Sequence, residues 1–180
     1  MSKKVLIISS SLRGGSNSEC LARECERGAK DAGHDVQFIS LKGKELKFCI
    51  GCLSCQETGK CVLKDDAADI MSAVYNAEVI VFSTPIYYYE MCGQLKTLLD
   101  RMNPLFPSDY KFRDIYMIAT ATEDEPTTFD KAYNGLLGWV GCFEKASLKV
   151  IVTGGGISEA NAAPKYADVM KKAYELGNKL

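Results

Sequence analysis

This chain of 180 residues contains five short apolar runs. Continuous runs of this kind are typical of strands that are buried on both faces of a parallel sheet. Stretches with helical periodicity lie between them, and strands that alternate with helices predict an α/β fold in which helices cover both faces of one open sheet. The predicted strands are residues 5–8, 36–41, 79–82, 114–120 and 148–152.

Length and charge limit the kinds of protein that this chain can be. The length favours one domain over residues 1–180. A formal net charge of −1 and a pI near 5.9 give no electrostatic basis for binding nucleic acid or an acidic membrane surface. No apolar run approaches the length of a membrane span, and the first run is too short for a secretion signal. We therefore expect a cytoplasmic protein.

A polar loop directly follows the first predicted strand, and a helix then begins. Free backbone N–H groups and the helix dipole at such a start favour an anion. The glycine spacing fits neither the dinucleotide fingerprint nor a triphosphate loop, so the hydroxyl groups favour a phosphate monoester. An ordinary polar turn with good N-cap residues is the alternative. The candidate phosphate ligands are Ser9, Ser11, Arg13, Ser16, Asn17 and Ser18.

Two further predicted loops follow the third and fourth strands. A rigid loop can bond the edge of a flat heterocycle through its N–H groups while aromatic rings cover the face. Tyrosines that pack a subunit interface or the rim of the core are the alternative. The candidates are Thr84, Pro85, Ile86, Tyr87 and Tyr88 from residues 83–93. The other loop, at residues 120–124, begins with Thr120, Ala121 and Thr122.

These loops constrain the order of the strands. The phosphate loop and the loop at residues 83–93 are neighbours only if the first and third strands are adjacent. Right-handed crossovers then lead to a five-stranded parallel sheet of order 2-1-3-4-5 in a three-layer sandwich. Folds of that order bind FMN in the crevice between the first and third strands.

Four of the eight cysteines are grouped between residues 46 and 64 in the pattern C-x2-C-x2-C-x5-C. They are Cys49, Cys52, Cys55 and Cys61, in a segment inserted after the second strand. A cytoplasmic protein keeps its thiols reduced, so such a group indicates metal or redox chemistry. Compact sets of four cysteines hold 4Fe–4S clusters, and zinc or four free thiols are the alternatives. The other four cysteines are interpreted as small buried hydrophobic residues.

The chain resembles the NADPH-dependent FMN reductase family. Residues 10–18 resemble its phosphate loop G-S-P-R-K-x-G-N-T, with Ser10 and Leu12 departing from the Gly and Pro. Residues 84–87 resemble its flavin-edge loop, and residues 93–96 with 99–101 resemble the helix behind it. Within the family, the cysteine segment is similar to that of the iron–sulfur flavoproteins of anaerobic microbes.

That resemblance implies a flavodoxin-like fold with bound FMN. It implies that Ser11, Arg13, Ser16, Asn17 and Ser18 hold the phosphate. Residues 84–87 would line the ring and the ribityl chain, and residues 120–122 would close the other side of the site.

We therefore predict an FMN-dependent oxidoreductase that moves electrons between NAD(P)H or a ferredoxin and a small acceptor, namely a quinone, a flavin or an oxygen species. The flavin supplies the chemistry, so no catalytic acid, base or nucleophile is assigned. A tyrosine-rich rim beside an exposed flavin favours a homodimer or a homotetramer. The alternatives are an FMN electron carrier without turnover and a cysteine-based metal-binding or redox-sensing module.

Overall fold

A computed structural model describes all residues, 1–180. Five parallel strands form one sheet in the order β2-β1-β3-β5-β6, which confirms the predicted arrangement when the strands are counted without β4. The short β4 pairs antiparallel with the end of β3. The strands are β1 Lys4–Ser9, β2 Asp35–Ser40, β3 Val79–Tyr87, β4 Glu90–Met91, β5 Asp114–Thr120 and β6 Ser147–Gly154.

Helices cover both faces of the sheet, as the sequence predicts. They are α1 Asn17–Asp31, α2 Ser54–Thr58, α3 Ala67–Asn76, α4 Gly93–Arg101, α5 Asp130–Val140 and α6 Ala167–Asn178. Helix α1 begins after its N-cap Ser16 and ends before Gly33. The sequence predicts Gly33 as the residue that ends this helix, and its φ of 84° confirms that role. No helix in the structure combines the length and the apolar character that crossing a membrane requires.

Alternation along the strands divides the core into two halves. In β1, Val5 and Ile7 face one cluster, in which the side chains of α1 and α6 are buried. Leu6 and Ile8 face the other cluster, which contains side chains of α3, α4 and α5. Because successive side chains of a strand point to opposite faces, an uninterrupted apolar run supplies both halves.

Helices α1 and α6 approach closely at two glycines. A Cβ atom placed on Gly28 would overlap the carbonyl oxygen of Tyr174. One placed on Gly177 would overlap the carbonyl oxygen of Cys25. The sequence predicts that the last helix buries Ala167, Met170, Tyr174 and Gly177, which is only partly right. Ala167 is exposed, Met170 and Tyr174 are half-buried, and the buried residues are Ala173, Leu176 and Gly177.

The predicted loop at residues 83–93 is largely a β-hairpin. Strand β3 continues through buried Ser83 and Thr84 as far as Tyr87 before it turns back into β4. Pro85 is tolerated because β1 has already ended at Ser9, so the side of β3 that faced β1 needs no further N–H donor. The strand therefore carries its last residues beyond the main sheet.

Candidate functional site

A crevice lies where β1, β3 and β5 end and where α1 begins. It holds a small, partly open cavity of about 60 Å³. The ends of adjacent parallel strands at a switch point are the usual ligand site of such a sheet. Ten of the cavity's twelve lining residues are predicted site residues, namely Ser11, Arg13, Ser16, Asn17, Pro85, Ile86, Tyr87, Thr120, Ala121 and Thr122. The other two, Ile157 and Ser158, come from the loop after β6.

Free backbone donors lie at the start of α1. The Ser16 hydroxyl accepts a hydrogen bond from the N–H of Glu19 at 3.2 Å and lies 3.1 Å from the Ser18 hydroxyl. The N–H groups of Asn17 and Ser18 donate to no protein acceptor. Two free N–H groups at the positive end of a helix dipole are suited to a phosphate.

Two cations are close to this loop. The guanidinium of Arg13 donates to the carbonyl of Ser158 at 2.9 Å and so connects the phosphate loop to the loop after β6. The ammonium nitrogen of Lys42 lies 3.9 Å from the position that a Cβ atom of Gly14 would occupy. Lys42 forms no ion pair, so its charge is available to a ligand. No sequence pattern identifies Lys42, because it follows β2, far along the chain from the phosphate loop.

Both polar atoms of the Asn17 side chain form hydrogen bonds within the protein. Its Oδ1 accepts hydrogen bonds from the N–H groups of Ala162 and Ala163, both at 3.0 Å. Its Nδ2 donates to the carbonyls of Ile157 at 3.3 Å and Glu159 at 2.8 Å. The amide therefore fastens the loop after β6 to α1, and only the backbone N–H of Asn17 is free for an anion.

Three other predicted ligands have side chains that bond inside the protein and do not line the crevice. The Ser9 hydroxyl donates a hydrogen bond to a carboxylate oxygen of Glu19 at 3.4 Å. The Thr84 hydroxyl donates to the carbonyl of Pro85 at 2.9 Å and accepts from the N–H of Cys92 at 3.1 Å. Ser18 is fully buried. Ser9 and Thr84 lie in strands, and Ser18 lies in the first turn of α1.

The β3–β4 hairpin adjoins the crevice and ends in two strained tyrosines. Tyr88 and Tyr89 form its two-residue turn with φ of 51° and 66°. Turns with positive φ at both positions favour Asn-Gly, and bulky residues there carry strain. Tyr88, a predicted ligand, is 98% exposed. A second cavity is lined by Ile86, Tyr87, Tyr88, Tyr89, Ala121, Thr122, Glu123 and Thr128.

A larger cavity, of about 530 Å³, is lined by the cysteine segment. All four predicted metal ligands line it, namely Cys49, Cys52, Cys55 and Cys61, and most of the remaining wall is apolar. Cys142 from the end of α5 lines it as well. Cys142 is exposed, so its interpretation as a buried residue is wrong, while Cys25 and Cys92 are buried as predicted and Cys20 is half-buried.

Several of these sulfur atoms have nearby donors. Asn103 donates to the sulfur of Cys55 at 3.2 Å, and Arg101 donates to that of Cys61 at 3.4 Å. Hydrogen bonds from the backbone and side chain of Ser54 lower the pKa of the Cys52 thiol. These donors favour thiolates, which are the form that binds metals.

No three cysteine, histidine or acidic side chains are arranged around one point where a single metal ion could be held. A 4Fe–4S cluster makes a different demand, because each thiolate binds a different iron at a corner of the cube. Four thiols on the wall of one apolar cavity fit that donor set better than they fit a zinc site. The wall of this cavity shares no residue with the crevice.

Several known proteins are similar to this chain in sequence. A model of the NADPH-dependent FMN reductase family matches residues 3–143. An iron–sulfur flavoprotein of Methanocaldococcus jannaschii is 41% identical over 102 residues, which are 57% of this chain and 53% of that protein. The chain thus spans about half the length of the curated relatives that it matches.

Solved structures show the same fold. An NAD(P)H:quinone oxidoreductase from Methanothermobacter marburgensis superposes with a TM-score of 0.79 at 16% identity, covering 99% of this chain and 96% of that one. An azoreductase from Bacillus anthracis superposes with a TM-score of 0.73 at 16% identity over the full length of both chains.

Proposed function

Because the chain belongs to the NADPH-dependent FMN reductase family, we propose that it is an FMN-dependent oxidoreductase that moves electrons between NAD(P)H or a ferredoxin and a small acceptor. The observation that carries the proposal is the crevice at the ends of β1, β3 and β5, with two free N–H groups at the start of α1. The quinone, flavin or oxygen species that accepts the electrons is part of the same proposal.

The phosphate end of the site is formed by the start of α1. The N–H groups of Asn17 and Ser18, with the hydroxyls of Ser11 and Ser16, would hold the FMN phosphate. Arg13 supplies positive charge at the mouth of the crevice, where it is exposed. A dianionic ester gains more from this concentration of donors than an uncharged ligand does.

The ring end of the site is formed by the end of β3 and the loop after β5. Pro85, Ile86 and Tyr87 would line one side of the flavin, and residues 120–122 would line the other. Ile86, Tyr87, Ala121 and Thr122 also belong to the wall of the second cavity. A nicotinamide or an acceptor in that cavity would therefore meet the ring directly.

Bound FMN supplies hydride and single-electron chemistry itself. The residues of this chain orient the ring, limit its contact with water and admit the substrate. No side chain in the crevice has to act as an acid or a base. The hairpin extends beyond the end of β1, and Tyr88 in its turn is almost fully exposed.

A spectrum and a turnover assay test this proposal. Anaerobically prepared protein should bind FMN with a defined stoichiometry, which quenching of flavin fluorescence measures. The loaded protein should then oxidise NADH or NADPH when a quinone or free flavin is present. Tight FMN binding without turnover would favour the electron-carrier alternative. Failure to bind FMN would overturn the proposal and leave the cysteine module.

We further propose that Cys49, Cys52, Cys55 and Cys61 hold a 4Fe–4S cluster, as the shared cavity and the sulfur hydrogen bonds support. Iron and sulfide analysis of anaerobically reconstituted protein tests this assignment. About four irons and four sulfides per chain are expected. Iron near zero, or one zinc ion per chain, would contradict it.

Self-association and location complete the proposal. Large apolar side chains are exposed around the cysteine cavity, including Ile50, Leu53 and Phe106. Exposed apolar surface of this kind favours a homodimer or a homotetramer. Analytical ultracentrifugation that shows only a monomer at micromolar concentration would contradict this part. A cytoplasmic location and a ferredoxin partner remain predictions.

A further inference from the structure

A buried arginine lies behind the cysteine cavity. Arg101, the last residue of α4, has a side chain that is 1% exposed, and the side chain of its partner Asp65 is completely buried. The two groups are joined by two hydrogen bonds, from Nη1 to Oδ2 at 2.5 Å and from Nη2 to Oδ1 at 3.0 Å. Paired, parallel bonds of this kind need the planar guanidinium and cannot be reproduced by lysine.

The same guanidinium contacts both ends of the cysteine segment. It donates to the carbonyl of Lys47 at 2.8 Å, just before the first cysteine. It also donates to the carbonyl of Leu63 and to the sulfur of Cys61, both at 3.4 Å, at the far end. Asp65 strengthens the closure by accepting from the N–H of Lys47 at 2.7 Å. One side chain on a core helix thus fastens the segment where it leaves and where it returns.

Stability alone does not account well for this arrangement. A buried ion pair is often no more stabilising than apolar residues of the same volume. The Nε of Arg101 is buried and has no hydrogen-bond partner, which adds a further cost. The contacts that the guanidinium does make with backbone or sulfur all go to residues 47–63. The arrangement therefore serves the conformation of the cysteine segment.

We propose that Arg101, held by Asp65, is the positioning residue of the metal site: it closes the cysteine segment at its base and fixes the sulfur of Cys61, so that the four thiols are presented as one set. This inference rests on the proposed cluster. Groups that orient metal ligands typically change metal affinity by about 10-fold to 100-fold when they are removed.

The test measures how fast the cluster is lost. Full-length wild type, Arg101→Met, Arg101→Lys and Asp65→Asn are reconstituted anaerobically with ferrous iron and sulfide, and loss of visible absorbance is followed with an iron chelator. We expect loss from Arg101→Met to be at least about tenfold faster than from wild type, with the other two variants between them. FMN affinity, which reports on the crevice alone, should stay within about twofold of wild type.

Arg113→Met is the matched control. Arg113 also donates to backbone carbonyls, those of residues 110–112, but it touches no part of the cysteine segment. Its cluster should be lost at the wild-type rate.

The possible outcomes distinguish a failure of the cluster proposal from a failure of the proposed role of Arg101. If wild type takes up no iron and sulfide, the cluster proposal fails and this inference fails with it. If wild type holds a cluster and the Arg101 and Asp65 variants lose theirs at its rate, the cluster stands and the inference is overturned. If Arg101→Met does not fold, Arg101→Lys and Asp65→Asn decide. Loss of FMN binding in all three variants would also overturn the inference, because the inference limits the role of Arg101 to the cysteine segment.

Discussion

At the scale of single residues, the start of α1 separates groups that build the fold from groups that are free for a ligand. Asn17 uses its whole amide on the loop after β6, and the Thr84 hydroxyl is used within the hairpin. The backbone N–H groups of residues 17 and 18 and the ammonium of Lys42 have no protein partner. Charge and backbone, more than polar side chains, therefore determine how this site would hold a phosphate.

Lys42→Met should weaken FMN binding without changing riboflavin binding. An exposed ammonium near a dianion contributes little, so about a threefold loss is expected at low salt and less at high salt. Flavin fluorescence quenching measures both ligands. Lys44→Met is the control, because it removes the same charge from the same loop while its ammonium is already paired with Asp66 at 3.2 Å. An equal loss for riboflavin would exclude contact with the phosphate.

Asn17→Asp should destabilise the folded chain as well as weaken FMN binding. The substitution replaces the Nδ2 donor with an oxygen that faces the carbonyls of Ile157 and Glu159. Leaving buried carbonyls opposite an acceptor should lower the free energy of unfolding by about 2 kcal/mol, measured with urea. Asn134→Asp, on the exposed face of α5, should change it by less than about 0.5 kcal/mol. Equal effects would show that the loop is not fastened by Asn17.

At the scale of secondary-structure elements, the packing of α1 against α6 depends on two glycines, Gly28 and Gly177. Replacing a helical glycine with alanine normally stabilises by up to about 1 kcal/mol. Gly28→Ala should instead destabilise by about 3 kcal/mol, because the new methyl group would overlap the carbonyl of Tyr174.

Gly138→Ala is the control for that substitution. Gly138 lies in α5, and no atom lies within 4 Å of the position that its Cβ would occupy, so alanine there should stabilise the chain. Urea unfolding of both variants checks the pair. A stabilising Gly28→Ala would show that α1 and α6 pack less closely in solution than they do in this structure.

The sequence predicts elements well where one physical rule dominates. The five parallel strands follow from continuous apolar runs, and the end of α1 follows from Gly33. The hairpin was missed because Ser83, Thr84 and Pro85 resemble the end of a strand, and because Tyr88 and Tyr89 are poor residues for its turn. The loop after β6 was not predicted to be part of the site, because Ile157 and Ser158 are brought to the phosphate loop only by the tertiary structure. Cys142 joined the cysteine cavity in the same way.

At the scale of the whole molecule, stability in acid should depend on Asp65. Burial opposes its ionisation, but hydrogen bonds from Arg101 and from the N–H groups of Lys47 and Ala67 outweigh burial and lower its pKa. A carboxyl with a lower pKa in the folded state adds stability above the unfolded value of about 3.9, and this contribution is lost as the pH falls through the folded value. Unfolding free energy should therefore decrease below about pH 4.

Asp65→Asn should make that decrease shallower, measured by urea unfolding at several pH values between about 2 and 5. Asp109→Asn is the control. Lys111 and Lys145 lower the pKa of Asp109 to about 2, but the group is exposed, so solvent screens its interactions. Its substitution should flatten the curve less. An identical slope in wild type and Asp65→Asn would contradict the role of the buried pair.

The separation of the crevice from the cysteine cavity has a practical consequence for anyone who prepares this protein. Since no side chain belongs to both walls, oxidative loss of the proposed cluster would leave the residues that line the crevice in place. If both proposals hold, a sample would be yellow, well folded and saturable with flavin after its cluster has been lost. Colour alone would hide that loss.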